Sequence, residues 1–381
     1  MSTPLTRLSE EESLFQLSVR RFAREQIAPR AREMDAKAAI DPALLRQLFA
    51  LGLTAIEIPE EFGGQGGTFF QSILAVEEIA VADPGVAVLV DVQNTLVVSA
   101  IRDYGNAQQQ RQFLSALAKD TIGAYALSEA NSGSDAFALA TRAVPEGADY
   151  LITGRKLWIS NAAEAGLFLI FATINPEAGH RGITCFVVER ETPGLAVGRK
   201  EDKLGIRCSS TCEVVLDNCR VPAANILGEP GKGYKVAIET LNGGRIAIGA
   251  QLVGLADGAL HHAIGYARQR RQFGKTIAEF QGIQFQLAEM AMHVESARLM
   301  VYNAARLRDA GLPYVKEAAM AKLHSSLIAE DVASQAVEIF GGIGFTKECP
   351  VEKLYRDAKI GRIYEGTSNM QRLTIAKELL S

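Results

Sequence analysis

The stretch 356–373, RDAKIGRIYEGTSNMQRL, puts one carboxylate, Glu365, on a short connector between two helical patterns. The helix through Asp357 and Ala358 is broken at Gly361 and Gly366. Thr367 and Ser368 then offer N-caps for a final helix, and Ser368 with Gln371 has capping-box spacing. Between Tyr364 and Gly366, the Glu365 side chain is poorly placed for core packing and well placed to reach a bound ligand as a base. An acid at a helix entrance also favours the helix dipole without doing any chemistry. The connector by itself leaves both readings open.

Other segments carry the same double meaning. YALSEANSGSD, residues 125–135, combines hydroxyls, two carboxylates and a flexible turn. Exposed amides and hydroxyls there suit an isoalloxazine edge or a pyrophosphate, and a plain polar turn is the alternative. Trp158, the only tryptophan, is either a strand-core aromatic or a flat wall for a flavin ring with Ser160 as a polar contact. RQRRQFGK, residues 268–275, ends a helical pattern with four cations, which suit a helix C-terminus or a diphosphate. EIFGGIG, residues 338–344, closes another helix with glycines that permit close backbone approach.

Several chemistries are excluded. Gly274-Lys275-Thr276 mimics a P-loop, but Gln269 stands where its first glycine is required. Residues 63–67 do not form a dinucleotide fingerprint, and no HExxH or GxSxG pattern occurs. Cys208, Cys212 and Cys219 lack the paired spacing of a zinc site, so no metal is expected. Five cysteines without a signal sequence read as reduced, buried or half-buried thiols. The net charge of −4 gives no footprint for nucleic acid. The run 166–174 is too short to span a bilayer, so no membrane partner is expected. The N-terminus carries early acids and no apolar core, which reads as a cytoplasmic bacterial chain, or a mitochondrial matrix one if a presequence is missing.

The elements that must position these residues fall into three zones. Residues 1–121 read as an N-terminal α-helical domain, with helices over 9–34, 42–51, 70–81, 86–104 and 107–118. The first of these shows apolar residues at Leu14, Leu17, Phe22 and Ile27. Residues 122–231 contain short β-branched and aromatic runs at 150–152, 157–159, 167–173, 183–188 and 211–216, the spacing of a middle antiparallel β-barrel or sandwich. Residues 232–381 return to helical period, with one apolar stripe at Ile283, Leu287, Met290, Val294, Ala297 and Val301, and read as a C-terminal four-helix bundle. The fold class is α+β, mostly α.

Six ordered motifs, LSEANSGSD (127–135), WIS (158–160), GIRCSST (205–211), RRQFGK (270–275), EIFGGIGF (338–345) and RDAKIGRIYEGTSN (356–369), resemble the acyl-CoA dehydrogenase flavoprotein family over nearly the whole chain. The resemblance implies non-covalent FAD, an acyl-CoA substrate, electron-transfer flavoprotein as redox partner and a homotetramer built as a pair of dimers. It puts Tyr125, Leu127, Ser128, Trp158 and Ser160 around the flavin ring, with Thr367 and Asn369 completing the contacts of the same subunit. Arg270, Gln272, Phe273, Glu338 and Gly342 would reach the FAD of a neighbouring subunit. Ser134 would lie beside the CoA moiety, and Leu241, Asn242, Arg245, Tyr364 and Gly366 would line the acyl-CoA site.

Glu365 falls on the family's base, which takes the α-proton while the β-hydride passes to flavin N5. The other base position known in the family, just before Arg245, is Gly244 here. DVQNTL (91–96), SDAFAL (134–139) and PVEK (350–353) resemble the short/branched-chain members acting on 2-methylbutyryl-CoA, and the small Gly243 and Gly244 suit a branch at the α-carbon. The chain departs from the family at Asn131 and Ser132, where Gly-Ala is usual, and at Glu338, where Gln is more common. An acyl-CoA oxidase, a flavin monooxygenase, an acyl-carrier-protein dehydrogenase and a non-enzymatic helical binding protein are the competing readings.

Overall fold

A computed structural model describes residues 4–380 of the chain. Its first helical stretch is α1 (Glu10–Phe22), one π-helical segment (Ala23–Ile27) and α2 (Ala28–Lys37), opened by a Ser9–Glu12 capping box. Phe22 and Ile27 are buried as expected, but Leu14 and Leu17 are exposed. The stripe that packs inward is Phe15, Val19, Phe22 and Ala23, one helical face that Leu14 and Leu17 do not share. Then follow α3 (Pro42–Ala50), α4 (Phe69–Ala82), α5 (Pro84–Asp91), α6 (Ser99–Tyr104), α7 (Ala107–Gln109) and α8 (Ser115–Lys119). A π-helical turn, Val92–Val98, joins α5 to α6. The Pro84–Tyr104 stretch is long and apolar enough to cross a membrane, with mean hydropathy 1.5 over its most apolar window, but that window is wholly buried inside the fold as core helix.

The middle region holds β1 (Ile122–Ala126), β2 (Arg142–Glu146), β3 (Asp149–Ser160), β4 (Ala165–Thr173), β5 (Ile183–Glu189), β6 (Leu195–Lys200), β7 (Thr211–Pro222) and β8 (Ile226–Leu227). They form one sheet in the order β6-β7-β3-β2-β4-β5-β8, with β1 added on β4. β6 and β8 end that path unpaired with each other, so the sheet folds over as a sandwich and does not close as a barrel. It is not wholly antiparallel either. β1 runs parallel to β4, and β2 meets β4 through one parallel pairing, because β1 and β4 are joined by a long crossover rather than a hairpin. Alternation divides β4 between two cores. Phe168 and Ile170 face the sandwich interior, and Leu169 and Phe171 face the helices. Cys185, Cys212 and Cys219 are buried strand thiols, Cys208 is buried in a turn, and Cys349 is half-buried.

Three long helices dominate the C-terminal region: α9 (Gly233–Gln269), α10 (Gln281–Asp309) and α11 (Val315–Phe340). Met290, Val294, Ala297 and Val301 form the buried stripe of α10. The short α12 (Pro350–Ala358) follows, and α13 (Ser368–Leu380) lies along α11. Between α9 and α10 the chain makes a hairpin, β9 (Arg271–Gln272) and β10 (Lys275–Thr276), turning at Phe273 (φ 50°) and Gly274 (φ 83°). Arg270, Arg271 and Lys275 therefore lie beyond the helix and not on its last turn, because the Phe-Gly pair supplies the left-handed turn a hairpin needs.

Candidate active site

The Glu365 connector is held from three sides. Glu365 and Gly366 both take left-handed backbone, at φ 51° and 84°. A non-glycine residue held there is uncommon and persists only where the surroundings over-determine it. Gln371 Nε2 donates to the carbonyls of Glu365 (3.0 Å) and Gly366 (2.9 Å). Lys322 Nζ, from α11, donates to the Gly366 carbonyl at 2.7 Å. Tyr364 Oη donates to Gln251 Oε1 on α9 at 3.0 Å. The Ser368–Gln371 capping box does not form. Thr367 Oγ1 accepts the Met370 N–H at 3.4 Å, Ser368 Oγ is buried without a partner, and the Gln371 amide turns back to the connector carbonyls. A Cβ on Gly366 would stand 2.8 Å from Gln371 Nε2, so this clamp requires glycine.

The segment leading into the connector is anchored by a buried ammonium. Lys353 Nζ lies 2.6 Å from Asp357 Oδ2 and 3.2 Å from Asp83 Oδ2. Asp83 caps α5 by accepting the Gly85 N–H at 2.7 Å, and Asp357 accepts the Ile206 N–H from the loop after β6. One cation thus joins the N-terminal helices, the sheet and α12.

Glu365 keeps some surface, but its Oε2 is fully buried and has no hydrogen-bond partner among the described residues. Burial pushes its carboxyl up to about 7, opposed first by the charge of Lys322 and then by that of Arg245. Arg245 Nη1 donates to Asn242 Oδ1 at 2.7 Å, and its Nε is buried and unpartnered. Burial holds that guanidinium below its usual range, against the pull of Glu365. Asp91, fully buried, bonds Thr95 through Oδ1 and leaves Oδ2 unpartnered. Burial, and then the Glu365 charge, hold the Asp91 carboxyl well above the carboxylate range. Gly244 faces Glu365 and Leu96, whereas Gly243 faces the Arg308 guanidinium, with 3.5 Å from its ideal Cβ to Cζ. Neighbouring residues on a helix point about 100° apart, so only Gly244 borders the carboxylate. Glu365 Oε2 and Leu96 Cδ2 already fill the space a side chain there would take, so neither glycine leaves the room for an α-branch that the sequence suggested.

The sheet reaches the same region through Tyr125. Its ring packs on Phe171 with centroids 4.9 Å apart, and Oη lies 3.0 Å from Thr240 Oγ1, one turn of α9 before Gly244. Leu127 is buried, Ser128 and Ser160 are half-buried, and Ser134 is exposed. Glu129 serves the turn internally. It accepts the Ala140 N–H (2.7 Å), the Thr141 N–H (3.2 Å) and Lys156 Nζ (2.6 Å), and Lys156 also donates to the Leu127 carbonyl. Asn131 does not take the left-handed backbone that its residue type permits.

Trp158 sits where the β3–β7 register shifts, at φ 62°. Its side chain is 60% exposed and joins no aromatic pair among the described residues. A bulge that turns a large flat ring outward beside Ser128 and Ser160 fits a planar ring system.

The remaining sequence candidates separate into two groups. Thr367 lies on the connector two residues after Glu365, exposed Asn369 in the first turn of α13, and half-buried Leu241 on α9 one turn before Arg245. Arg270, Gln272, Phe273, Glu338 and Gly342 lie at the far end of the bundle and are all exposed, Phe273 by 93%. Arg245 and Gln269 lie on one unbroken α9, roughly 36 Å apart at 1.5 Å per residue. These residues do not meet Glu365 within one chain. Lys322 and Lys156 are not singled out by the sequence, and Asp91, Glu129 and Gln371 appear there only as parts of motifs, without the partners the structure gives them.

Three family models, described as acyl-CoA dehydrogenase N-terminal, middle and C-terminal domains, match residues 9–121, 124–219 and 231–380. A probable short/branched chain specific acyl-CoA dehydrogenase of Dictyostelium discoideum is 53% identical, covering 99% of this chain and 92% of its own. The butyryl-CoA dehydrogenase of Megasphaera elsdenii aligns over 100% of both chains with TM-score 0.97 and 40% identity. An acyl-CoA dehydrogenase of Bacillus anthracis, solved with FAD, gives TM-score 0.93 at 32% identity over 100% of this chain and 68% of that one.

Proposed function

The chain belongs to the acyl-CoA dehydrogenase family, and from that membership we propose that it oxidises a short or 2-methyl-branched acyl-CoA to the trans-2-enoyl-CoA, with Glu365 as the base that takes the α-proton. The observation that carries the base assignment is the Glu365 carboxylate itself, aimed from a left-handed connector with Oε2 buried and unpartnered.

A free glutamate, at about 4.3, is too weak a base for an α-C–H. Burial brings Glu365 to about 7, near the working pH, where a general base is most effective. The Glu365 N–H has no acceptor among the described residues and is free to donate to the thioester oxygen as negative charge develops there. One such donor contributes roughly 3 kcal/mol to a charge-developing step.

Bound FAD supplies the acceptor for the β-hydride. Tyr125, Leu127, Ser128, Trp158, Ser160, Thr367 and Asn369 would hold it, and the outward Trp158 ring supports that reading. Ser134, Leu241, Asn242, Arg245, Tyr364 and Gly366 line the acyl-CoA path. The exposed group Arg270, Gln272, Phe273, Glu338 and Gly342 serves the FAD site of a neighbouring copy, in a homotetramer like that the family resemblance implies. Electrons leave to an electron-transfer flavoprotein.

The likeness to short/branched chain specific relatives supports a short or 2-methyl-branched substrate. Anaerobic bleaching of the purified flavoprotein with butyryl-, isobutyryl-, 2-methylbutyryl-, isovaleryl- and octanoyl-CoA tests the reading. Fastest bleaching by the short or 2-methyl-branched thioesters is expected. A clear preference for octanoyl-CoA removes the chain-length assignment, and no bleaching by any of them removes the activity.

A further inference from the structure

Lys322 lies on α11 with 0% of its surface exposed. A buried ammonium is costly unless an anion compensates it. No carboxylate lies within the 4.0 Å of an ion pair to Lys322 among the described residues, and its hydrogen bond goes to the neutral Gly366 carbonyl. That carbonyl already accepts a neutral donor, Gln371 Nε2, at 2.9 Å. Satisfying it does not require a cation. The ionisable groups that act on Lys322 are Glu365, from the connector, and Arg245, from α9. Those around Glu365 are Lys322, Arg245, Asp91 from α5, Tyr125 from β1 and Tyr364 from the connector. Arg245 is a like charge, Tyr125 and Tyr364 are phenols, and Asp91, whose carboxyl burial holds well above the carboxylate range, does not act on Lys322. Glu365 is the anion that remains to balance the ammonium.

We propose that Lys322 is a positioning residue for the reaction: it clamps the Glu365–Gly366 connector through the Gly366 carbonyl and supplies the positive charge that keeps the buried Glu365 carboxylate ionised. The proposal rests on the reading of Glu365 as the base. Burial draws the Lys322 ammonium down to about 8, with Glu365 pulling it back, so it remains protonated at neutral pH.

The test is the pH profile of kcat/KM for the holoenzyme and for Lys322→Gln and Lys322→Arg. Lys322→Gln keeps a donor for Gly366 and removes the charge. It should move the acid limb up by about one pH unit, an approximately tenfold loss on that limb, while the high-pH plateau stays within about threefold of wild type. Lys322→Arg should leave the limb in place. A merely structural lysine would lower the melting temperature or the plateau of the variants and leave the limb unmoved, and that result overturns the proposal. If Lys322→Gln does not fold, Lys322→Met, uncharged and similar in shape, takes its place in the same measurement. Glu365→Gln separates the two readings. If it keeps turnover, the base assignment fails and this inference falls with it; if it is inactive and the limb ignores Lys322, only this inference fails.

Discussion

A Cβ placed on Gly244 would stand 3.1 Å from Glu365 Oε2. The two positions are distant in sequence, one on α9 and one on the connector, yet they converge on one point. Glycine at 244 is therefore what leaves the Glu365 carboxylate its place, and Leu96 Cδ2, 3.0 Å from the same Cβ position, closes the other side.

That convergence predicts a transplantable base. Glu365→Gly suits the backbone at φ 51° and should lower turnover by about 10³-fold, within the range a general base contributes. Adding Gly244→Glu, with the space beside it now vacated, should recover at least about tenfold of that loss. The rate of anaerobic flavin reduction by substrate reads both. No recovery in a folded, flavin-loaded double variant means that the two positions do not share access to the α-carbon.

The pH dependence follows from the direction of the Glu365 shift. A base works in its ionised form, and this carboxyl is raised to about 7 by burial. Below that value kcat/KM should fall about tenfold per pH unit as the carboxylate takes up a proton, and above it the profile should flatten. An unshifted carboxyl at about 4.3 would give a flat profile from slightly acidic to neutral pH. Steady-state kinetics across that window distinguish the two, and a flat profile rejects the burial argument.

The sequence made some of this geometry legible and hid the rest for identifiable reasons. Glu365 stood out because two glycines interrupt a helical pattern around it, which is a local signal. Gln371 did not, since capping-box spacing is the same whether the amide caps Ser368 or reaches back to the connector carbonyls, as it does. Lys322 reads as an ordinary helical lysine. Its burial depends on α9 and α13 packing against α11, which no local pattern encodes. The parallel pairing of β1 with β4 is likewise non-local, and strand periodicity carries no direction. Gly243 and Gly244 look equivalent in sequence but face Arg308 and Glu365.

Lys353 should be a stability residue whose loss also reaches the site. Lys353→Met leaves Asp83 and Asp357 buried together without their cation. Removing one partner of a buried ionic group costs about 3–5 kcal/mol, and urea unfolding at neutral pH should show a loss of that order. Burial, more than any other influence, holds the Asp357 carboxyl above its ordinary range. Protonation of Asp357 relieves the uncompensated pair, so the penalty should shrink as pH falls. A loss below about 1 kcal/mol, the scale of an exposed pair, would show that the three regions do not depend on this ammonium.

Trp158 separates a core aromatic from a ligand wall by where its loss is felt. A strand-core aromatic cut to alanine costs about 3–5 kcal/mol of chain stability with or without ligand. Trp158 is 60% exposed, on a left-handed bulge residue, and packs on no other ring among the described residues, so the flavin-free chain has little to lose. Trp158→Ala should leave the melting temperature of the apoprotein nearly unchanged. It should lower that of the flavin-loaded protein and weaken FAD retention by about tenfold, the scale of one aromatic contact. Trp158→Phe, which keeps a flat face, should retain most of the cofactor. Equal destabilisation of the apo and loaded forms would make Trp158 a packing residue and move the planar ligand elsewhere. An effect confined to the loaded form means that the strain of the φ 62° bulge is maintained for the ring it presents.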